Sequence, residues 1–286
     1  MLIKKKNKKI KLIISRLSLK ETLRFIPKKI IDLVKYKFKK KNIINLKELF
    51  NIYLPISKIL NYKLDNFKFK KKIKYENNPF IIGITGSVSV GKTTTAKILK
   101  KLLNCWKKKY KIEIISTDGF LYSSKLLKKK KIIRKKGFPE SYNKKNIINF
   151  LKKIKKGKSF NIPKYSHKLS NVHKKKKIKL KNLKVLIIEG INIFQKNFIN
   201  LKKLKIYKFI NYIIYINASE NLTKKWYMKR HIKLKNKKIN ILKLEEKWTK
   251  TNLVNLKKNI LKTKEYANII INKKNNHFVK NIKIIN

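Results

Sequence analysis

"FIIGITGSVSVGKTTTAKIL", residues 80–99, decides how the rest of the chain is read. An apolar run of strand length, 80–86, leads into a loop, and helical periodicity follows it. The chain has seven glycines, yet Gly83, Gly86 and Gly91 fall within this one stretch. Gly86-Ser87-Val88-Ser89-Val90-Gly91-Lys92-Thr93 matches G-x-x-x-x-G-K-[ST] in full, with a strand before it and a helix after it. The pattern has a physical reason. Successive backbone N–H groups must point inward to hold a polyphosphate. A side chain at Gly86 or Gly91 would block that approach or demand disfavoured torsions. The helix that opens at Lys92 adds unpaired N–H groups and the positive end of its dipole. Lys92 is placed to reach the β- and γ-phosphates of ATP. The Thr93 hydroxyl is placed to meet Mg²⁺, an ion that keeps several waters and takes few protein ligands.

Working outward, "IEIIST" (112–117), "KVLIIEG" (184–190) and "YIIYINA" (212–218) repeat the isoleucine-rich, strand-length pattern. Continuous apolar runs fit strands buried on both faces of a parallel sheet. Between them, positions such as Ala96, Leu99, Leu102, Leu103 and Trp106 mark one apolar helix face. The expected fold is α/β, a P-loop NTPase-type parallel sheet flanked by helices. Residues 1–78 read as a helical segment packed on a core of 79–286, the whole forming one structural domain. Ser18 with Glu21, and Asn45 with Glu48, have capping-box spacing. Pro55 is expected to kink or end the second of these helices. The lysine-rich stretches 125–136 and 174–184 read as solvated loops or helix faces.

Two acids end strands at the carboxyl edge of the sheet, where ligands bind in open α/β folds. Asp118, after 112–117, can accept or orient the proton of an attacking hydroxyl. Glu189, after 184–188, can reach Mg²⁺ directly or through water.

Composition bounds the rest. The formal net charge is +67, carried almost wholly by lysine; Arg16, Arg24, Arg134 and Arg230 are the arginines. Groups that read bases or clamp phosphates bidentately favour arginine. Lysine is enriched together with Ile, Asn, Tyr and Phe, all with AT-rich codons, so the charge reads as mutational bias, not as a specific nucleic-acid interface. A basic nucleic-acid-binding protein is the competing class, and it would show sequence or structure preference beyond salt-sensitive adhesion. Cys105 is the lone cysteine, which excludes an internal disulfide and suits a reducing cytosol. The basic N-terminus lacks a long apolar run or small-residue cleavage site, and no stretch approaches a membrane span. The expectation is a cytoplasmic protein with no membrane partner.

Further phrases occur in a telling order. "IYLPISKILNY" (52–62), "GSVSVGKTTTAK" (86–97), "TDGFL" (117–121), "KKGFPESYN" (135–143), "PKYSH" (163–167), "LIIEGINIFQ" (186–195), "WYMKR" (226–230) and "NLKKNIL" (255–261) resemble the bacterial pantothenate kinases of the prokaryotic type I class. The alternative is another P-loop small-molecule kinase, uridine kinase-like or phosphoribulokinase-like, acting on a nucleoside or sugar hydroxyl; those families are similar in architecture, but this combination of phrases is not expected in them. The resemblance implies transfer of phosphate from ATP to pantothenate, with coenzyme A as feedback inhibitor, in a homodimer. It implies Asp118 as catalytic base and Arg230 beside the transferring phosphate. It implies pantothenate contacts from Tyr165, His167, Tyr227 and Asn252. Lys97 and His167 would meet coenzyme A, and Lys273 and His277 would lie near the adenine.

One departure is informative. Between Arg230 and Asn252 the chain is over a dozen residues shorter than the family pattern, and His231 and Leu234 stand where phenylalanines are expected. Loss of aromatic burial at that wall loosens the grip on the thiol tail of coenzyme A. Feedback by free coenzyme A is therefore expected to be weaker than in the family, and inhibition assays against ATP check it; inhibition at concentrations typical of the family would count against this reading.

Overall fold

The isoleucine runs form four adjacent strands at one side of an eight-stranded sheet, the 112–117 run lying at its edge. In the computed structural model the described residues are 3–6, 9–14, 24, 26–39, 45–67, 78–106, 110–166, 169–190, 206–234 and 240–285. Strands β1 (Ile3–Lys6), β2 (Lys9–Ile14), β3 (Phe80–Gly86), β4 (Ile112–Ser116), β5 (Phe160–Ser166), β6 (Asn171–Leu180), β7 (Val185–Glu189), β8 (Tyr212–Asn217), β9 (Ile269–Lys273) and β10 (Val279–Ile285) follow in chain order. The large sheet runs β1-β2-β10-β9-β8-β3-β7-β4, and β5 and β6 make a separate hairpin. Neighbours from β4 through β7, β3 and β8 to β9 pair in parallel. β10, β2 and β1 extend the sheet antiparallel.

The core that a side chain faces alternates along each central strand. Ile82, Ile84, Val185, Ile187, Ile214 and Ile216 face one core. Ile81, Leu186, Ile188, Ile213 and Tyr215 face the other. Side chains alternate with period two, so runs apolar at every position are what a sheet covered on both faces requires. The first core is covered by helices α1 (Lys28–Lys39), α2 (Leu54–Asp65) and α3 (Lys92–Leu103), through residues such as Val34, Leu60 and Leu99. After α4 (Ser124–Lys129), helix α5 (Lys144–Lys155) covers the second with Phe150, Leu151 and Ile154. Helices α6 (Glu220–Leu234) and α7 (Ile241–Lys247) stand at the carboxyl edge of the sheet, and Tyr227, Leu244 and Trp248 pack there as a small third cluster. Among the described residues no helix is long and apolar enough to cross a membrane.

The apolar face foreseen on α3 is buried at Ala96, Leu99, Leu102 and Leu103. Trp106 packs against the same core, its indole N–H donating to Ser57 Oγ at 3.2 Å. Other details differ from expectation. The chain does not begin helical: β1 and β2 complete the sheet edge, with β2 pairing to β10 from Ile14↔Ile282 to Lys11↔Ile285. A free sheet edge offered by β10 overrides local propensity. The Ser18–Glu21 pair lies outside the described residues. Asn45 does cap its helix, accepting from Lys47 N at 2.8 Å. Glu48, however, turns inward to the sheet and accepts from Val279 N at 3.0 Å. Pro55 does not end its helix. A π turn, Leu49–Tyr53, runs directly into α2, leaving Pro55 in the first turn of that helix. There a missing N–H leaves little unsatisfied. Of the lysine-rich stretches, the first forms α4 and a short 3₁₀ turn, while most of the second is strand β6, pinned by pairing with β5.

Candidate active site

The phosphate-loop sequence forms a loop at the end of β3, at the sheet's carboxyl edge. Gly86 has φ 141°, and a Cβ there would sit 2.3 Å from the Ile216 carbonyl oxygen at the end of β8. Gly91, with φ 95°, caps α3 in the left-handed region, and Ser89 also has positive φ at 59°. Ser87 and Val90 are buried, and Val88 packs on the Tyr227–Leu244–Trp248 cluster. The Lys92 side chain curls back along the loop. Its ammonium donates to the carbonyls of Gly86 at 3.1 Å and Ser87 at 2.6 Å. Burial pushes its pKa down to about 8; the charges of Glu189 and Asp118 oppose that shift, and Arg230 adds to it. The Thr93 hydroxyl donates to Glu189 Oε1 at 3.1 Å. Burial raises the Glu189 carboxyl above the usual carboxylate range, while Lys92 and hydrogen bonds from Thr93 and Ser116 pull it back.

Two strand ends carry the acids. β4 passes into a 3₁₀ turn, Thr117–Phe120, with Ser116 Oγ accepting from Asp118 N at 3.3 Å. The turn lies hard against β5: a Cβ on Gly119 would be 2.6 Å from the Pro163 carbonyl oxygen. Gly190, following Glu189, is tighter still, with a Cβ placed 1.8 Å from Thr117 Oγ1. These contacts bring Asp118 and Glu189 to one place. The buried Tyr142 donates its hydroxyl to Asp118 Oδ1 at 3.5 Å. Burial first, then the Asp118 charge, raises that phenol well above its ordinary range. Tyr165 is pushed up to about 12 by burial and by the same carboxylate, against the pull of Arg230.

The facing wall is α6 with the helical turns after α7. Tyr227 is buried, its ring 4.4 Å from His231 and 5.4 Å from Trp248 between centroids. Asn252 sits in a π turn, Trp248–Leu253, with its side chain facing the Tyr227 hydroxyl. Such turns recur where a helix must aim a side chain at a site. Arg230 is exposed, yet its charge bears on both Lys92 and Tyr165. Sequence reasoning singled out neither Tyr142 nor Lys136, though both lie in the quoted "KKGFPESYN". The Lys136 ammonium donates to Ser124 Oγ at 3.0 Å and to the Ser170 carbonyl, and lies 5.9 Å from the Tyr165 ring centroid. Asn255 Nδ2 donates to the Gly137 carbonyl at 2.9 Å, and Thr251 Oγ1 to that of Arg134 at 3.3 Å. The segment is thus held over the Asp118 turn.

Lys97 is exposed one helical turn beyond Thr93. The Lys273 ammonium faces inward, donating to Tyr53 Oη at 2.9 Å and to the His277 carbonyl at 2.8 Å. The His277 ring stacks on Trp226 at 3.8 Å between centroids. His167 lies outside the described residues. The structure therefore gathers the phosphate loop, Thr93, Asp118, Glu189, Tyr165, Tyr227, Asn252 and Arg230 at one sheet edge, with His277 flanking them.

Residues 81–280 match the phosphoribulokinase / uridine kinase family. A pantothenate kinase of Haemophilus influenzae is 36% identical over 266 residues, covering 84% of this chain and 86% of that protein. A pantothenate kinase of Streptococcus mutans is 40% identical over 263 residues, covering 84% and 85%. In fold, the chain is similar to a D-glycerate 3-kinase from Cryptococcus neoformans, with TM-score 0.59 and 11% identity over 78% of this chain and 95% of that one.

The contact at Gly190 yields a test. Gly190→Ala forces the Thr117 side chain out of place and should lower unfolding free energy by about 1–3 kcal/mol. Adding Thr117→Ala to it should recover part of the loss. Urea denaturation of the two variants checks this, and an unperturbed Gly190→Ala protein would refute the contact.

Proposed function

We infer the reaction from kinship and site together: the chain belongs to the phosphoribulokinase / uridine kinase family, and within it to the pantothenate kinases, and it transfers phosphate from ATP to pantothenate, giving ADP and 4′-phosphopantothenate. The observation that carries the assignment of roles is the convergence of loop, cation and carboxylate at one sheet edge. Lys92 lies within the electrostatic reach of both Asp118 and Glu189.

In this reading the amides of 86–93 hold the β- and γ-phosphates, and Lys92 swings from its two loop carbonyls onto them. Phosphoryl transfer asks the protein chiefly for positioning and charge neutralisation. Arg230 supplies a second cation from the facing wall. Thr93 Oγ1 and Glu189 Oε1, 3.1 Å apart, offer the hard oxygen donors that suit Mg²⁺. When bound, that ion neutralises phosphate charge. Asp118 orients the pantothenate primary hydroxyl and takes its proton as the new P–O bond forms, and the bond to the ADP oxygen breaks. Tyr142, as donor to Asp118, holds the carboxylate in place. Tyr165, Tyr227 and Asn252 line the acceptor side. The ring of His277 and its turn flank the nucleoside, and Lys273 acts by holding that turn. His167 and Lys97 keep their proposed coenzyme A contacts, in a homodimer.

Asp118→Asn keeps the shape but not the proton acceptor, so kcat should fall about 10²–10⁴-fold with pantothenate KM little changed. Pantothenate-dependent ADP release measures this; an unimpaired variant, or release that does not need pantothenate, would sink the assignment.

The lowered Lys92 pKa predicts a pH effect of definite sign. Lys92 carries its charge below about 8 and sheds it above. Because kcat/KM reports free-enzyme ionisations, kcat/KM for ATP should decline as pH rises past that value. kcat should persist to higher pH, since bound phosphates hold the proton on. Because the folded pKa lies below the ordinary 10.5, the same group adds stability as pH rises from about 8 toward 10.5. In Lys92→Arg, which cannot deprotonate, the alkaline limb of the ATP profile should vanish; its survival there would assign it to another group.

A further inference from the structure

The turn joining β9 to β10 lies at the same carboxyl edge as the phosphate loop. Gly86 on β3 pairs with Ile216 on β8, and Asn217, the next residue, pairs with Asn272 on β9. On the other flank of β3, the ends of β7 and β4 are occupied by Glu189, Asp118, Tyr142 and Tyr165. Among the described residues, a nucleotide whose phosphates lie on 86–93 meets those acids and phenols on that flank, and its nucleoside can extend the other way, toward β8 and β9. The 274–278 turn stands there, with the His277 ring on Trp226, four residues before Arg230 on the same helix.

This turn is closed by Lys274 N donating to the Phe278 carbonyl at 2.7 Å, yet its tip carries left-handed backbone. Asn276 and His277 are consecutive non-glycine residues with φ 55° and 61°. Left-handed backbone at such residues persists where surroundings over-determine it. Its two ends, Lys273 and Val279, form the last paired positions of the hairpin. Both are gripped by one carboxylate from the N-terminal helical segment: Glu48 Oε1 accepts from Val279 N at 3.0 Å and lies 3.5 Å from Lys273 Nζ. The Glu48 and Lys273 side chains are each 6% exposed. Tyr53, one and a half helical turns on, takes a second bond from the Lys273 ammonium, which spends a third on the His277 carbonyl.

We propose that Glu48, with Tyr53, is a positioning residue for the nucleotide: through Lys273 and Val279 it fixes the 274–278 turn against Trp226 and so shapes the wall that receives the nucleoside of ATP. The proposal rests on the kinase reading above. A buried ion pair is weak grounds for stability by itself, because desolvation offsets the Coulomb gain. What this pair determines is geometry, since both ends of a strained turn meet at one oxygen.

The test uses the full chain with Glu48→Gln and Tyr53→Phe, neither of which alters a group that faces the nucleotide. Titration calorimetry with Mg·ATP gives the dissociation constant without any acceptor present, and initial rates give KM for ATP and for pantothenate separately. Glu48→Gln should weaken ATP binding about tenfold, which corresponds to about 1.4 kcal/mol of binding free energy. Tyr53→Phe should weaken it less, and KM for pantothenate should stay near the parent value in both. If both bind ATP as the parent does, or if melting temperature falls with ATP affinity unchanged, the role is merely structural and the proposal fails. A matched rise in both KM values also overturns it. Should Glu48→Gln not fold, Tyr53→Phe decides alone, because its ring stays in the core. A parent that binds ATP but does not phosphorylate pantothenate refutes the acceptor assignment and leaves this inference standing.

Discussion

The site depends on how closely the backbone at Gly86 lies against the end of β8. A carbon atom added there would be 2.3 Å from the Ile216 oxygen, so the loop can turn inward only where there is no side chain. With the left-handed cap at Gly91, that close approach lets the loop turn inward ahead of α3, in whose first turn the Thr93 hydroxyl faces Glu189. The same device appears twice more. Gly119 lets the Asp118 turn rest on β5, and Gly190 lets Glu189 end beside Thr117. In a chain with seven glycines, three lie where a methyl group would push the two acids or the loop apart.

Charge is used in an equally selective way. There are 13 acids against 80 basic residues, so an anionic side chain is a scarce resource. Glu189 and Glu48 are buried, and Asp118 is half-buried; each has a cation or hydroxyl aimed at it. Surface ion pairs such as Lys250–Glu246 contribute little by comparison. The abundant exposed lysines speak to solubility and encounter with anions, not to the fold. Arg230 stands out for the same reason. In a chain that otherwise uses lysine, its planar fork is kept where it bears on both Lys92 and Tyr165.

What could be read from sequence was local. The phosphate loop, the strands around it and the acids at their ends follow from spacing and from runs of isoleucine, and each is determined within a dozen residues. What could not be read was tertiary. Nothing in "KIKLII" (9–14) announces a partner, because β2 exists to pair with β10, more than 260 residues later. Glu48 has the spacing of a capping box, but the sheet offers its carboxylate a buried N–H and an ammonium, and those outbid the cap. Pro55 looked like a helix end because the preceding π turn carries no sequence mark. Tyr142 and Lys136 lay inside a recognised phrase, yet their chemistry shows only when the 134–143 segment folds over Asp118.

The two cores explain why the chemistry sits where it does. The phosphate loop and α3 are anchored in one core through Val90, Ala96 and Leu99. The turn that carries Asp118 and its neighbours is anchored in the other through Phe120, Tyr142 and Ile162. Donor and acceptor must be held to within a fraction of an ångström for in-line transfer, so the two cores must not slide past each other. Their shared wall is the sheet itself, and at the β3–β7 pair Gly83 meets Ile188 and Ile84 meets Glu189. Both strands are buried at every position. The phosphate loop and Glu189 thus leave the ends of two fully buried strands, while Glu48 of the N-terminal segment holds the β9–β10 turn farther along the same sheet.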